Sequence, residues 1–138
     1  TCLAVIIFDM DNLKFINDNY GHNEGDYCIK TISYAMQHVT DDEICARSGG
    51  DEFVVLIRNA TAEKASAFIE KVRALIDKKV FFDGKDYKAG VSTGIYILDP
   101  DEVKETDAHK VFEKCLKEAD SAMYIEKKQR KASGNGEN

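Results

Sequence analysis

Three features of this 138-residue chain predict an α+β fold: an antiparallel-rich central sheet flanked by helices, close to the ferredoxin-like plan. Leu3–Phe8 is a continuous apolar, β-branched-rich run, the pattern of a central strand covered on both faces. From Glu24 the apolar period turns helical, with Ile29, Ile32, Met36 and Val39 on one stripe. Ile44–Ser48 and Phe53–Ile57 then bracket Gly49-Gly50, which reads as a hairpin with glycines at its tip.

The remaining elements follow in order. Between the first strand and the first long helix, Asp9–Asn23 is polar and holds a short helix around Asn12–Asn19. Thr40-Asp41-Asp42 ends the long helix. Thr61 caps the next helix, whose buried stripe is Ala65, Phe68, Ile69, Val72, Leu75 and Ile76. Val80–Phe82, an Asp83-Gly84 turn and Tyr87–Leu98 supply further strand. Val111, Phe112, Cys115, Leu116, Ala119, Ala122 and Met123 mark a final helix, and beyond Lys127 a basic, then Gly- and Ser-rich end is expected to fray. The order is β-α-α-β-β-α-β-α with extra hairpin material before the last helix.

Composition bounds the function. Hydrophobic residues are 43% and charged residues 32%, as in a soluble globular protein. A net charge of −6 makes a poor non-specific binder of nucleic acid or anionic membrane. No apolar run approaches the ~18 residues of a membrane span. Cys2, Cys28, Cys45 and Cys115 form no CxxC, and the last three sit in apolar patterns as small core residues of a reducing compartment. His22, His38 and His109 lack metal-ligand spacing, which argues against structural zinc.

Two acidic pairs carry the chemistry. Asp9 and Asp11 follow the buried strand, and Asp51 and Glu52 follow the hairpin glycines. If strand and hairpin are sheet neighbours, the pairs converge at one edge, where they repel unless a cation neutralises them. Oxygen ligation without histidine or thiolate suits Mg²⁺ or Mn²⁺, and two such ions about 4 Å apart are the usual device for attack on a phosphate. The plainer alternative is ordinary loop and turn acids.

Between the pairs the chain suits an anion. Asn12 and Leu13 open a short helix with outward N–H groups, and Lys14 adds charge. Asn17, Asp18, His22 and Asp26 have no obvious structural task. An amide with a carboxylate matches the acceptor and donors of guanine, although Asn17 and Asp18 equally suit a cap or turn. Gly21, Gly25, Gly49 and Gly50 fit either positive φ or close approach of a ligand. Lys127, Lys128, Arg130 and Lys131 suit a helix C-terminus; alternatively Lys127 and Lys131, four apart, reach a triphosphate.

These residues together resemble the GGDEF domain of bacterial diguanylate cyclases. The resemblance rests on Ala46-Arg47-Ser48-Gly49-Gly50-Asp51-Glu52-Phe53, on the upstream signature from Asp9-Met10-Asp11 through Lys14, Asn17, Asp18, Gly21 and His22 to Gly25-Asp26, on Val91-Ser92-Thr93-Gly94, and on Ala119-Asp120-Ser121-Ala122-Met123-Tyr124. It covers about residues 3–131, so residues 1–131 are expected to form the domain and 132–138 a flexible tail.

The resemblance implies an adenylate-cyclase-like palm fold and condensation of two GTP into cyclic di-GMP and two pyrophosphates across a dimer with a second GGDEF domain. By motif position it implies that Asp9, the Met10 carbonyl, Asp51 and Glu52 hold metal, Mg²⁺ or Mn²⁺, two per half-site. Asp51 or Glu52 deprotonates the 3′-hydroxyl, with Asp51 favoured. Asn12, Leu13, Lys14, Lys127 and Lys131 hold phosphates, and Asn17 and Asp26 read guanine with His22 nearby. A catalytically silent GTP-binding regulatory module is the competing reading.

Departures from the family pattern carry expectations of their own. The RxxD product-inhibition site reads Thr40-Asp41-Asp42-Glu43, so no inhibition through it is expected. The Gly-Arg-Asn after the last helix reads Gln129-Arg130-Lys131, Lys131 would replace an arginine, and Glu126 stands where alanine is common. A DxLTGLxNR segment and an upstream sensory or regulatory domain are expected in a longer parent, with the domain in the cytoplasm, possible output of a membrane-bound sensor, without nucleic-acid or direct membrane contact.

Overall fold

The computed structural model describes residues 2–40, 43–78 and 84–132. Its elements are β1 (Leu3–Asp11), α1 (Leu13–Tyr20), α2 (His22–Val39), β2 (Ile44–Arg47), β3 (Glu52–Arg58), α3 (Ala62–Ile76), β4 (Gly90–Leu98), a 3₁₀ turn (Pro100–Glu102) and α4 (Ala108–Ala132). The sheet runs β2-β3-β1-β4, every neighbouring pair antiparallel. This is the α+β sheet-and-helix architecture the patterns predict.

The continuous apolar run of β1 has a structural cause. Side chains alternate faces along a strand, and here both faces are covered. Ala4, Ile6, Phe8 and Met10 join the main core with Ile16, Cys28, Ile32 and Met36 of the first two helices and Phe68, Ile69 and Val72 of α3. Val5 and Ile7 join a second core with Val54 and with Cys115, Ala119 and Met123 of α4.

Several boundaries differ from the sequence expectation. The short helix is Leu13–Tyr20 rather than Asn12–Asn19, because Asn12 takes a left-handed conformation (φ 64°) and turns the chain out of β1. The last strand starts at Gly90, not Tyr87. The expected strand Val80–Phe82 and Asp83 of its turn lie outside the described residues. The final helix does not fray beyond Lys127 but continues to Ala132, held by polar contacts given below. Residues 133–138 lie outside the described residues. Cys28 and Cys115 are buried, but Cys45 is only half-buried because β2 is an edge strand; it pairs with the Thr40 hydroxyl at 2.9 Å. The Thr61 cap is present, its hydroxyl accepting the Lys64 N–H at 3.1 Å.

Candidate active site

The antiparallel register of β1 with β3 places Asp9 opposite Glu52. Just beyond it, the Met10 N–H donates to the Asp51 carbonyl at 3.1 Å. The two acidic pairs therefore meet at one sheet edge, as their positions at strand ends predict. The hairpin tip is tied internally: Arg47 donates from Nε to the Gly49 carbonyl (2.9 Å) and from Nη2 to the Gly50 carbonyl (2.7 Å). The Ser48 hydroxyl donates to Glu52 Oε1 at 3.0 Å. Gly49 and Gly50 do not have positive φ, and a Cβ at either would meet nothing within 4 Å. The turn-strain reading of these two glycines therefore fails, whereas Gly21 does take positive φ (95°).

A lysine from α4 completes this edge. Lys127 Nζ lies 3.1 Å from Asp9 Oδ2 and 3.1 Å from the Met10 carbonyl oxygen. The other Asp9 oxygen, Oδ1, is buried without a hydrogen-bond partner. Burial raises the Asp9 carboxyl from its ordinary 3.8 to about 6; Lys127 opposes that shift and the neighbouring Asp51 adds to it.

Among the described residues, no three His, Cys, Asp or Glu side chains are grouped to hold a metal ion. The donor set still fits an oxygen-seeking dication. A carboxylate with an orphaned buried oxygen and a main-chain carbonyl already share one cation, the Lys127 ammonium.

Next along the chain, Asn12 Oδ1 is also buried and unpartnered, Leu13 packs partly on the main core, and Lys14 is exposed. Asn17 is half-buried on α1, while His22 and Asp26 are exposed at the start of α2. Gly25 is where these helices touch: an added Cβ would lie 1.8 Å from Asn17 Oδ1. This is a close-approach glycine, occupied by a side chain of the same protein. Of the two basic residues expected together, only Lys127 reaches the acidic edge. Lys131 is exposed in the last turn of α4, and among the described residues it makes no ion pair with the site.

Behind this edge stand Asp11, the second acid of the first pair, and residues to which sequence reasoning gave no partners. Asp11 is 1% exposed, accepts the Ser92 hydroxyl at 2.6 Å and pairs with Arg130 Nε at 2.8 Å. Glu126 accepts the Thr93 N–H at 2.8 Å and pairs with Arg73 at 2.5 Å. The available signal was Glu126, standing where alanine is common, and the altered triplet Gln129-Arg130-Lys131, which mark positions without giving partners.

Comparison with known proteins gives the family and the fold. Residues 1–133 match the family described as "Diguanylate cyclase, GGDEF domain". Diguanylate cyclase A of Treponema denticola is 32% identical over 129 residues, 91% of this chain and 32% of that protein. Diguanylate cyclase DgcP of Escherichia coli is 34% identical over 128 residues, 91% of this chain and 36% of that protein. The active GGEEF domain of a diguanylate cyclase from Vibrio cholerae superimposes with a TM-score of 0.77 at 28% identity, covering 94% of this chain and 78% of that one. This chain belongs to the GGDEF family of diguanylate cyclase domains. It spans about a third of the length of these two curated relatives. Among the described residues, no helix is long and apolar enough to cross a membrane.

Proposed function

We propose that this domain is a diguanylate cyclase, joining two GTP into cyclic di-GMP with release of two pyrophosphates. The observation that carries the reading is the meeting of Asp9 and the Met10 carbonyl at a single cation, Lys127, with Asp51 beside Asp9. Asp9, the Met10 carbonyl, Asp51 and Glu52 would hold Mg²⁺ or Mn²⁺, two ions per half-site. Bound there, such ions supply charge neutralisation at the reacting α-phosphate.

The chain's own residues do the rest. Asp51 takes the proton of the ribose 3′-hydroxyl, Glu52 lies beside it, and the 3′-oxygen bonds to the α-phosphorus of the facing GTP as the bond to pyrophosphate breaks. Each domain of a homodimer presents one GTP, so the reaction happens twice. Asn12, Leu13, Lys14, Lys127 and Lys131 bind phosphate oxygens. Asn17, Asp26 and His22 contact guanine. We place the domain in the cytoplasm, at the output end of a longer protein with a sensory or regulatory segment.

The test is a product assay. The chain, fused to a parallel coiled coil so that dimerisation is assured, is incubated with GTP and Mg²⁺ and analysed by chromatography. Cyclic di-GMP is expected, reduced by at least about 100-fold in Asp51→Ala. GTP binding without product from the unsubstituted fusion would favour the silent regulatory module.

Gly25→Ala tests the guanine subsite. The new methyl collides with the end of one side chain, Asn17, and alanine favours a helix, so melting is expected to hold or rise. Preference for GTP over ATP is expected to fall by at least about tenfold because Asn17 is displaced. Unchanged preference would remove Asn17 from base reading.

A further inference from the structure

The apolar seam of α4 ends before the helix does. Cys115, Ala119 and Met123 are its buried residues, whereas Tyr124 and Ile125 are 57% and 58% exposed. The helix nevertheless continues to Ala132, and Lys127 lies a full turn beyond the last apolar anchor. Polar contacts hold this stretch. Glu126 fastens it to β4 through the Thr93 N–H and to α3 through Arg73. One turn later Arg130 fastens it to β1 through Asp11.

The Asp11 contact is the deeper of the two. A carboxylate 1% exposed needs both donors and a counter-charge. Ser92 supplies a hydroxyl at 2.6 Å, and Arg130 supplies a charged N–H at 2.8 Å. The guanidinium also lies against the start of β4, where a Cβ on Gly90 would sit 3.0 Å from Arg130 Nη2. Asp11 is covalently joined to Met10, whose carbonyl meets Lys127, and to Asn12, whose left-handed turn starts the phosphate-facing helix. Lys127 and Arg130, three apart, share one helix face. That face is therefore tied to consecutive residues of one strand end, Asp9, Met10 and Asp11.

We infer that Arg130 is a positioning residue of this site: its ion pair with buried Asp11 holds the end of α4 on β1 and so keeps Lys127 at the Asp9–Met10 edge. Arg130 itself touches no reacting atom. Without it, among the described residues, α4 is fastened before Lys127 but not after it, and a helix end fixed on one side frays. The inference rests on the reading that a triphosphate meets Lys127.

The test separates positioning from simple neutralisation of Asp11. Binding of 3′-deoxy-GTP, which lacks the nucleophile, is measured by titration calorimetry with Mg²⁺, well below each variant's melting temperature. Arg130→Met is expected to melt lower and to bind about tenfold more weakly, because the ammonium is no longer held in place. Arg130→Met combined with Asp11→Asn leaves no buried charge unpaired, so its melting temperature is expected to return towards wild type while affinity stays about tenfold weak. Affinity that recovers with the melting temperature overturns the inference, as does wild-type affinity in Arg130→Met. Lys127→Met is the control for the underlying reading. If it binds as tightly as wild type, or if wild type does not bind, the triphosphate assignment falls and the role of Arg130 falls with it.

Discussion

Gly94→Ala is expected to destabilise the domain by about 3 kcal/mol or more, although it adds a single methyl group. An alanine Cβ would lie 1.9 Å from the Ala119 carbonyl oxygen, 2.3 Å from the Met123 nitrogen and 2.9 Å from the Met123 Cα. All three are backbone atoms of α4, so no side-chain rotation relieves the collision and the helix must lift from the sheet. Gly94 is buried in β4 opposite Ile7 of β1, within the face where Val5, Ile7 and Val54 meet Cys115, Ala119 and Met123. Lifting α4 opens that second core. A drop in melting temperature of roughly 10 °C is expected for a chain of this size. Gly49→Ala and Gly50→Ala are the controls, since a methyl group at either meets nothing within 4 Å. Their melting should stay close to wild type. If Gly94→Ala also melts like wild type, the close passage of α4 over β4 is not the arrangement in solution.

The same helix shows how far the sequence could be read. The apolar run of β1, the helical period of α2 and α3 and the glycine-tipped hairpin are local, periodic signals, and each became the expected element. The two acidic pairs could be placed at one edge because each directly adjoins a strand, and strand neighbours fix register. The end of α4 was different. Its apolar stripe stops at Met123, so periodicity ends the helix early. What extends it is pairing of Glu126 with Arg73 and of Arg130 with Asp11, contacts between residues far apart in the chain. Such pairs leave no period to detect. The same limit applied to Lys127 and Lys131. Their spacing puts them on one face, but only the fold shows that Lys127 reaches Asp9 while Arg130, not Lys131, is the second cation at the strand end.

Asp9→Asn is expected to abolish cyclic di-GMP formation, by about 10³-fold, and at the same time to stabilise the metal-free protein near neutral pH. The second effect follows from the direction of the Asp9 shift. Its carboxyl is raised from 3.8 to about 6, chiefly by burial, so the folded state holds the proton more tightly than the unfolded chain. The stability this provides is fully present below about pH 4 and is lost as pH rises through 6. At pH 7.5 the ionised, half-satisfied carboxylate costs stability, and the neutral amide of asparagine does not. In EDTA, Asp9→Asn should therefore melt above wild type at pH 7.5, with a smaller difference at pH 5. Mg²⁺ should raise the melting temperature of wild type and leave the variant unmoved. Burying an acid with an orphaned oxygen beside Asp51 makes a poor site for a proton-free carboxylate and a good one for a cation. Lys127 meets part of that demand, through one oxygen of Asp9 and the Met10 carbonyl. A variant that loses activity but melts below wild type at pH 7.5 would show that the Lys127 pair outweighs burial, and that Asp9 stabilises the fold as well as serving the reaction.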